Sequence, residues 1–188
     1  DTSYNEALRY GTKEVVDLFL AKGLKMPFWA ACKWGDIARM KELISKGEDI
    51  NKEGFFNEFP ICYAIESNQI NAVKLLLENK CKINFEMSSG SSFKPPIYMA
   101  AEKGYMKIVE LLLNAGSNPN YGEQDDMMNN SPLFIALQNE HYDTAEALLK
   151  GGARTDVYDI SGERDETGKY KEFNLTIFDY FKEKNNQE

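Results

Sequence analysis

Apolar residues fall along this chain in short bursts of helical period. In MKIVELLLNAG (106–116), Ile108, Val109, Leu111, Leu112 and Leu113 recur at i, i+3 and i+4 spacing before Gly116. That pattern predicts an amphipathic helix ended by a residue able to take the left-handed cap conformation. A shorter burst, PIYMAA (96–101), precedes it. Pro96 opens this first helix where a missing N–H is harmless, and Ala100 and Ala101 are small enough for neighbouring helices to approach closely. Gly104 turns the chain between the two helices.

The same helix–turn–helix pattern recurs as EALRYGTKEVVDLFLAKG (6–23), AACKWGDIARMKELISKG (30–47), YAIESNQINAVKLLLENK (63–80), MAAEKGYMKIVELLLNAG (99–116) and IALQNEHYDTAEALLKGG (135–152). Its closing residues Gly23, Gly47, Lys80, Gly116 and Gly152 are spaced 24, 33, 36 and 36 apart. Helices this short are not stable alone and must bury their apolar faces against adjacent units, so a period near 33 marks a stacked array. The helices open on MPFWAA (26–31), FPICYA (59–64), PPIYMA (95–100) and SPLFIA (131–136), and close on a leucine-rich run with glycine.

These motifs resemble those of ankyrin-repeat proteins over nearly the whole chain. The resemblance implies an all-α solenoid, a stack of helix–turn–helix repeats with β-hairpin fingers. Five two-helix units and a partial sixth are expected in one domain over 1–188, at about 1–23, 26–58, 59–94, 95–130, 131–174 and 175–188. Residues 1–8 match the family's first-helix opening, so the first unit would be the N-terminal cap, and TIFDYFKEKNN (176–186) resembles a lone first helix. The family's motif histidine is missing: its slot holds Asn5, Trp29, Cys62, Tyr98 and Phe134, so packing rather than hydrogen bonding is expected to hold those turns. The last connection, 153–174, is the longest; alternation at Val157, Tyr158 and Ile160 and again at Tyr170 and Phe173 reads as a strand–turn–strand finger, with a disordered insertion as the alternative.

Composition narrows the function classes. The 188 residues carry a net charge of −8, which disfavours nucleic acid as a general partner, and no apolar run suggests membrane insertion. Cys32, Cys62 and Cys81 lack metal or disulfide spacing and read as small apolar fillers, favouring a cytoplasmic setting. The chain begins at Asp1, so a secreted effector or a processed mature chain is the alternative setting. The single histidine, His141, falls at a helix–helix turn with no nucleophile beside it, and the Asp125–Asp126 pair lacks calcium-loop spacing. No catalytic, metal or cofactor motif is present in the sequence, so neither enzymatic activity nor a cofactor is expected.

Function is therefore expected in a surface. The resemblance implies that partners bind a concave groove of first helices and fingers. The exposed first-helix positions expected there are Lys33 and Trp34, Glu66, and Glu102 with Lys103; the finger positions are Phe55, Phe56 and Glu58, then Met127 and Met128. Trp34 stands where other units are small or polar, and large aromatics at a groove are typical interface anchors. Capping the hydrophobic edge left by the absent first finger is its alternative role. Phe55 and Phe56 are adjacent in an extended segment and cannot both turn inward. Glu66, Glu102 and Lys103 make the groove net acidic, which fits a protein or peptide with apolar anchors and some basic residues. The reading is a non-catalytic interaction module, monomeric apart from its partner. An enzyme or regulatory subunit built on 153–174, or a structural spacer, is the alternative.

Overall fold

The structure is a computed structural model that describes residues 2–54, 58–85, 94–120, 131–157 and 175–176. These belong to two compact units, Asp1–Phe85 and Glu86–Glu188. The first holds three helix pairs: α1 (Thr2–Tyr10) and α2 (Lys13–Ala21), α3 (Phe28–Trp34) and α4 (Ile37–Ser45), α5 (Pro60–Glu66) and α6 (Ile70–Glu78). α3 packs along α5 and touches α1, while α4 lies against α6. The first helices are buried on nearly every side: Phe28–Cys32 and Pro60–Ile65 are all buried. Ala30, Ala31, Cys32 and Ala64 have no exposed surface, so small residues set the close helix spacing. The second helices bury a single stripe, which in α6 is Ala72, Val73 and Leu76.

The first pair is more exposed than the two that follow. Glu6 is exposed where the same register holds the buried Ala30 and Tyr63 in the next two pairs. In α2 Leu18 is 65% exposed and Val15 39%, whereas Ala72, in register with Val15, is fully buried.

In the second unit α7 (Pro96–Glu102) packs on α9 (Pro132–Gln138), and α8 (Met106–Asn114) on α10 (Tyr142–Lys150). Ile97, Ile108, Val109, Leu112, Leu133 and Leu148 form its core. Pro96 and Pro132 each stand at the first turn of their helix, as the sequence pattern predicts, and the Ser131 hydroxyl accepts the Phe134 amide at 3.0 Å. The motif-histidine slot next to that cap holds Phe134, so a hydroxyl does tie this turn. Trp29, in the same slot of another pair, is buried against the Tyr63 ring, with centroids 4.9 Å apart.

One turn closes every second helix. At the end of α4 the Gly47 amide bonds the Ile44 carbonyl and the Glu48 amide bonds Leu43; the same two bonds recur at Lys80, Gly116 and Gly152. The residue at its left-handed position has φ of 83° at Gly47 and 58° at Lys80, so the lysine bears a strain of about 1–2 kcal/mol that glycine avoids. The same bonding closes the first helices at Gly35, Asn68, Gly104 and Glu140.

Asparagines tie successive connections between helix pairs. Asn51 Oδ1 accepts the Lys82 amide at 2.8 Å. Asn120 Oδ1 accepts the Arg154 amide at 2.8 Å, and its Nδ2 donates to the Gly152 carbonyl. Among the described residues strand pairing is confined to β1 (Asp156–Val157) and β2 (Leu175–Thr176), antiparallel with Val157 opposite Leu175. The return strand thus lies just beyond the Tyr170–Phe173 stretch that the alternation suggests. Thr176, where the lone helix over 176–186 is expected to begin, is in β2 instead; residues 158–174 and 177–186 lie outside the described residues.

Candidate functional site

The row of first helices in the first unit brings four charges together. Arg9 is at the end of α1, Lys33 near the end of α3 and Glu66 at the end of α5, in the same register of successive repeats. Glu58 enters from the finger base just ahead of α5. The Arg9 guanidinium is ion-paired with Glu66 and lies 3.2 Å from Glu58 Oε2, and Lys33 Nζ is 3.8 Å from Glu66. Beneath the guanidinium is the fully buried Tyr63 ring, 4.9 Å from its centroid, a cation–π distance. The Arg9 side chain is only 9% exposed, against 31% for Glu58 and 34% for Glu66.

Burial is the leading cause of shifts at Glu58 and Lys33. Glu58 is pushed above the usual carboxylate range by burial first, with Arg9 pulling it back. Lys33 is pushed down by burial, opposed by Glu66. Glu58 Oε2 is buried and accepts no hydrogen bond among the described residues, despite the ion pair. The backbone at Gly54 and Glu58 closes over the same place. The Gly54 amide donates to the Glu58 carbonyl at 2.8 Å, and a Cβ on Gly54 would stand 2.8–2.9 Å from the Tyr63 and Trp29 rings.

Trp34 is half-buried, and its indole N–H donates to the Leu8 carbonyl at 3.0 Å. Leu8 lies in the last turn of α1, where carbonyls have no intrahelical donor, so Trp34 caps a neighbouring helix end. Tyr10, at the equivalent position one repeat earlier, is 75% exposed.

The second unit has a counterpart. Lys94 Nζ contacts both Glu102 oxygens at 2.6 and 2.8 Å and lies 5.6 Å from the Tyr98 ring centroid. Burial raises the Tyr98 hydroxyl. Asn139 Nδ2 donates to the Glu102 carbonyl at 3.1 Å, and His141 Nε2 is 3.2 Å from the same oxygen. His141 thus ties one pair to the next, a turn role. Lys103 is exposed.

Of the side chains that the sequence pattern points to, Lys33, Glu58 and Glu66 lie in the first unit's charged patch, Trp34 lies on the Leu8 carbonyl of the same unit, and Glu102 and Lys103 lie in the second unit. Phe55, Phe56, Met127 and Met128 lie outside the described residues. The carboxylates expected to make the surface acidic are each met by a cation of the chain itself. Sequence reasoning passed over Arg9, Tyr63 and Tyr10. Register alone identifies Arg9, because it stands in α1 where Lys33, Glu66 and Glu102 stand in later first helices.

Among the described residues no three His, Cys, Asp or Glu side chains converge as metal ligands, and no helix is long and apolar enough to cross a membrane. The three free cysteines are buried, and burial raises each thiol, Cys81 to about 12.

Short helix pairs closed by one recurrent turn, with polar side chains exchanged along the first-helix row, define a helical repeat protein. The sequence pattern described as ankyrin repeats (3 copies) matches residues 4–87 and again 87–159, and the chain belongs to the ankyrin-repeat family. It is also 27% identical over 89 residues to alpha-latrotoxin-Lh1a of Latrodectus hasselti, a match that covers 45% of this chain. The chain spans 6% of the length of that curated relative. Ankyrin repeats are in general protein–protein interaction modules and are typically non-catalytic.

Proposed function

We propose that this chain is a non-catalytic interaction module that grips a protein or extended peptide along a groove of first helices and hairpin fingers. The observation that carries the reading is the patch on the first unit. Arg9, Lys33, Glu58 and Glu66 come from three first helices and the segment ahead of α5, yet meet in one cluster, with the Arg9 guanidinium over the buried Tyr63 ring. Gly54 and Glu58, which flank Phe55 and Phe56 in the sequence, are fixed on that patch.

The partner we infer has apolar anchors and some basic residues. Residues 1–85 carry twelve Lys and Arg against twelve Asp and Glu, so the whole net charge of −8 falls on residues 86–188. A basic segment drawn by that half and seated through apolar side chains on the first unit fits this division. The single-domain reading over 1–188, with Met127 and Met128 as further contacts, belongs to the same proposal. The likeness to a stretch of a much longer toxin supports use of such a module within a larger protein.

The test is affinity capture with the wild-type chain and the Phe55→Ala, Phe56→Ala variant. Trp34 is left intact because it caps α1. A specific partner retained by wild type and lost by the folded variant supports the finger as a contact, and equal retention by both removes it from the site.

A further inference from the structure

We infer that Arg9 is the positioning residue of this site: it holds the base of the 48–59 finger against the first-helix row. The inference rests on the interaction reading, which gives that finger its use. Arg9 reaches far along the sequence, to Glu58 and Glu66, 49 and 57 residues away. It lies over the Tyr63 ring that also backs Gly54. The described tip-side end of the finger has two visible restraints, the Gly54 amide on the Glu58 carbonyl and the Glu58 carboxylate beside Arg9. Glu58 Oε1 accepts from Arg9 Nη2 at 3.5 Å and Oε2 accepts no hydrogen bond among the described residues, so the guanidinium is what keeps this half-buried side chain turned inward. Removing Arg9 would leave two carboxylates facing Lys33 alone, 3.8 Å from Glu66, and Glu58 would turn out toward water.

The geometry asks for arginine in particular. A planar guanidinium can lie flat on a ring while its separate N–H groups serve two carboxylates, whereas an ammonium is a single point charge. The Trp34 bond to Leu8 and the Tyr4 hydroxyl on the Lys25 carbonyl tie α1 independently of Arg9, so the first pair keeps other attachments when Arg9 is changed.

The test reads the finger directly, with no partner present. Hydrogen exchange of the Gly54 amide is followed by NMR in the full chain for wild type, Arg9→Ala, Arg9→Lys, Glu58→Ala and Glu58→Gln. The Gln69 and Cys81 amides, bonded to Ala64 and Leu76 in the core, report general opening. Arg9→Ala and Glu58→Ala are expected to speed Gly54 exchange by about tenfold or more, with the two reference amides unchanged. Glu58→Gln, which keeps an acceptor for the guanidinium, stays near wild type, and Arg9→Lys falls between. Unchanged Gly54 exchange in folded Arg9→Ala, or acceleration of all three amides by one factor, overturns the inference. If Arg9→Ala is too unstable to study, the Arg9→Lys and Glu58→Gln pair decides: acceleration by lysine but not by glutamine supports it, and no difference overturns it. The finger's role as a contact fails by a separate result, a partner that still binds without Phe55 and Phe56.

Discussion

At Gly104 two constraints coincide: φ is 68°, and a Cβ would stand 2.7 Å from the His141 ring. Gly47 shares the left-handed backbone, at φ 83°, but has open space around it. Both alanine variants should lose about 1–2 kcal/mol to backbone strain. Gly104→Ala should lose a further ~1–3 kcal/mol to the crowded ring. Urea unfolding of the two variants separates these contributions, and equal losses would show that His141 yields at no cost. Glu58 gives a prediction of opposite flavour. Its folded value is raised by burial, so the stability it lends is present at low pH and lost as pH rises through that value. Glu58→Gln removes this loss. Its unfolding free energy relative to wild type should rise between about pH 4 and pH 7, across the carboxylate range. A fall over that interval would mean that Arg9 outweighs burial.

Among the elements, the finger ties are the most exposed to test. Asn120 both accepts from the Arg154 amide and donates to the Gly152 carbonyl, so one side chain fixes the start of the next finger. Asn120→Ala should cost ~1–2 kcal/mol and speed exchange at the Arg154 amide while leaving helix-core amides alone. Uniform acceleration would place the loss elsewhere. Asn51 does half as much, accepting from Lys82, and its removal should cost less. The repeated turn at the ends of second helices explains why the repeat tolerates Lys80 in place of glycine: two backbone bonds outweigh a modest strain.

For the molecule as a whole, three thiols are buried and raised, so none should react with a thiol reagent in the native state. Labelling with 5,5′-dithiobis(2-nitrobenzoate) should begin only as denaturant opens the stack. Prompt release of one equivalent would reveal a local opening that the packing does not suggest. The charge division carries a second expectation. Association with a basic partner should slow as salt screens the acidic half, with dissociation less affected. An association rate indifferent to ionic strength would remove charge steering from the proposal.

The stacked helix pairs and the turns that close them were legible in the sequence because apolar period, small residues and stop residues are local properties that recur along the chain. His141 and the cysteines were legible for the same reason: each has a register, and the register predicts turn or core. The candidate site was legible only in part. Lys33, Glu58 and Glu66 could be placed near one surface by repeat position, but their charges looked free. Only the packing of α1 against α3, and of α3 against α5, carried Arg9 across to them and neutralised what composition read as an acidic groove. Trp34 shows the same limit, since no sequence pattern says that an indole will reach an orphan carbonyl on the preceding helix. Sequence by itself determined the repeat, because stacking energy is written in each unit's own apolar stripe. Tertiary structure decided which charges pair, because that depends on distances between residues 49 and 57 positions apart, which no local pattern encodes.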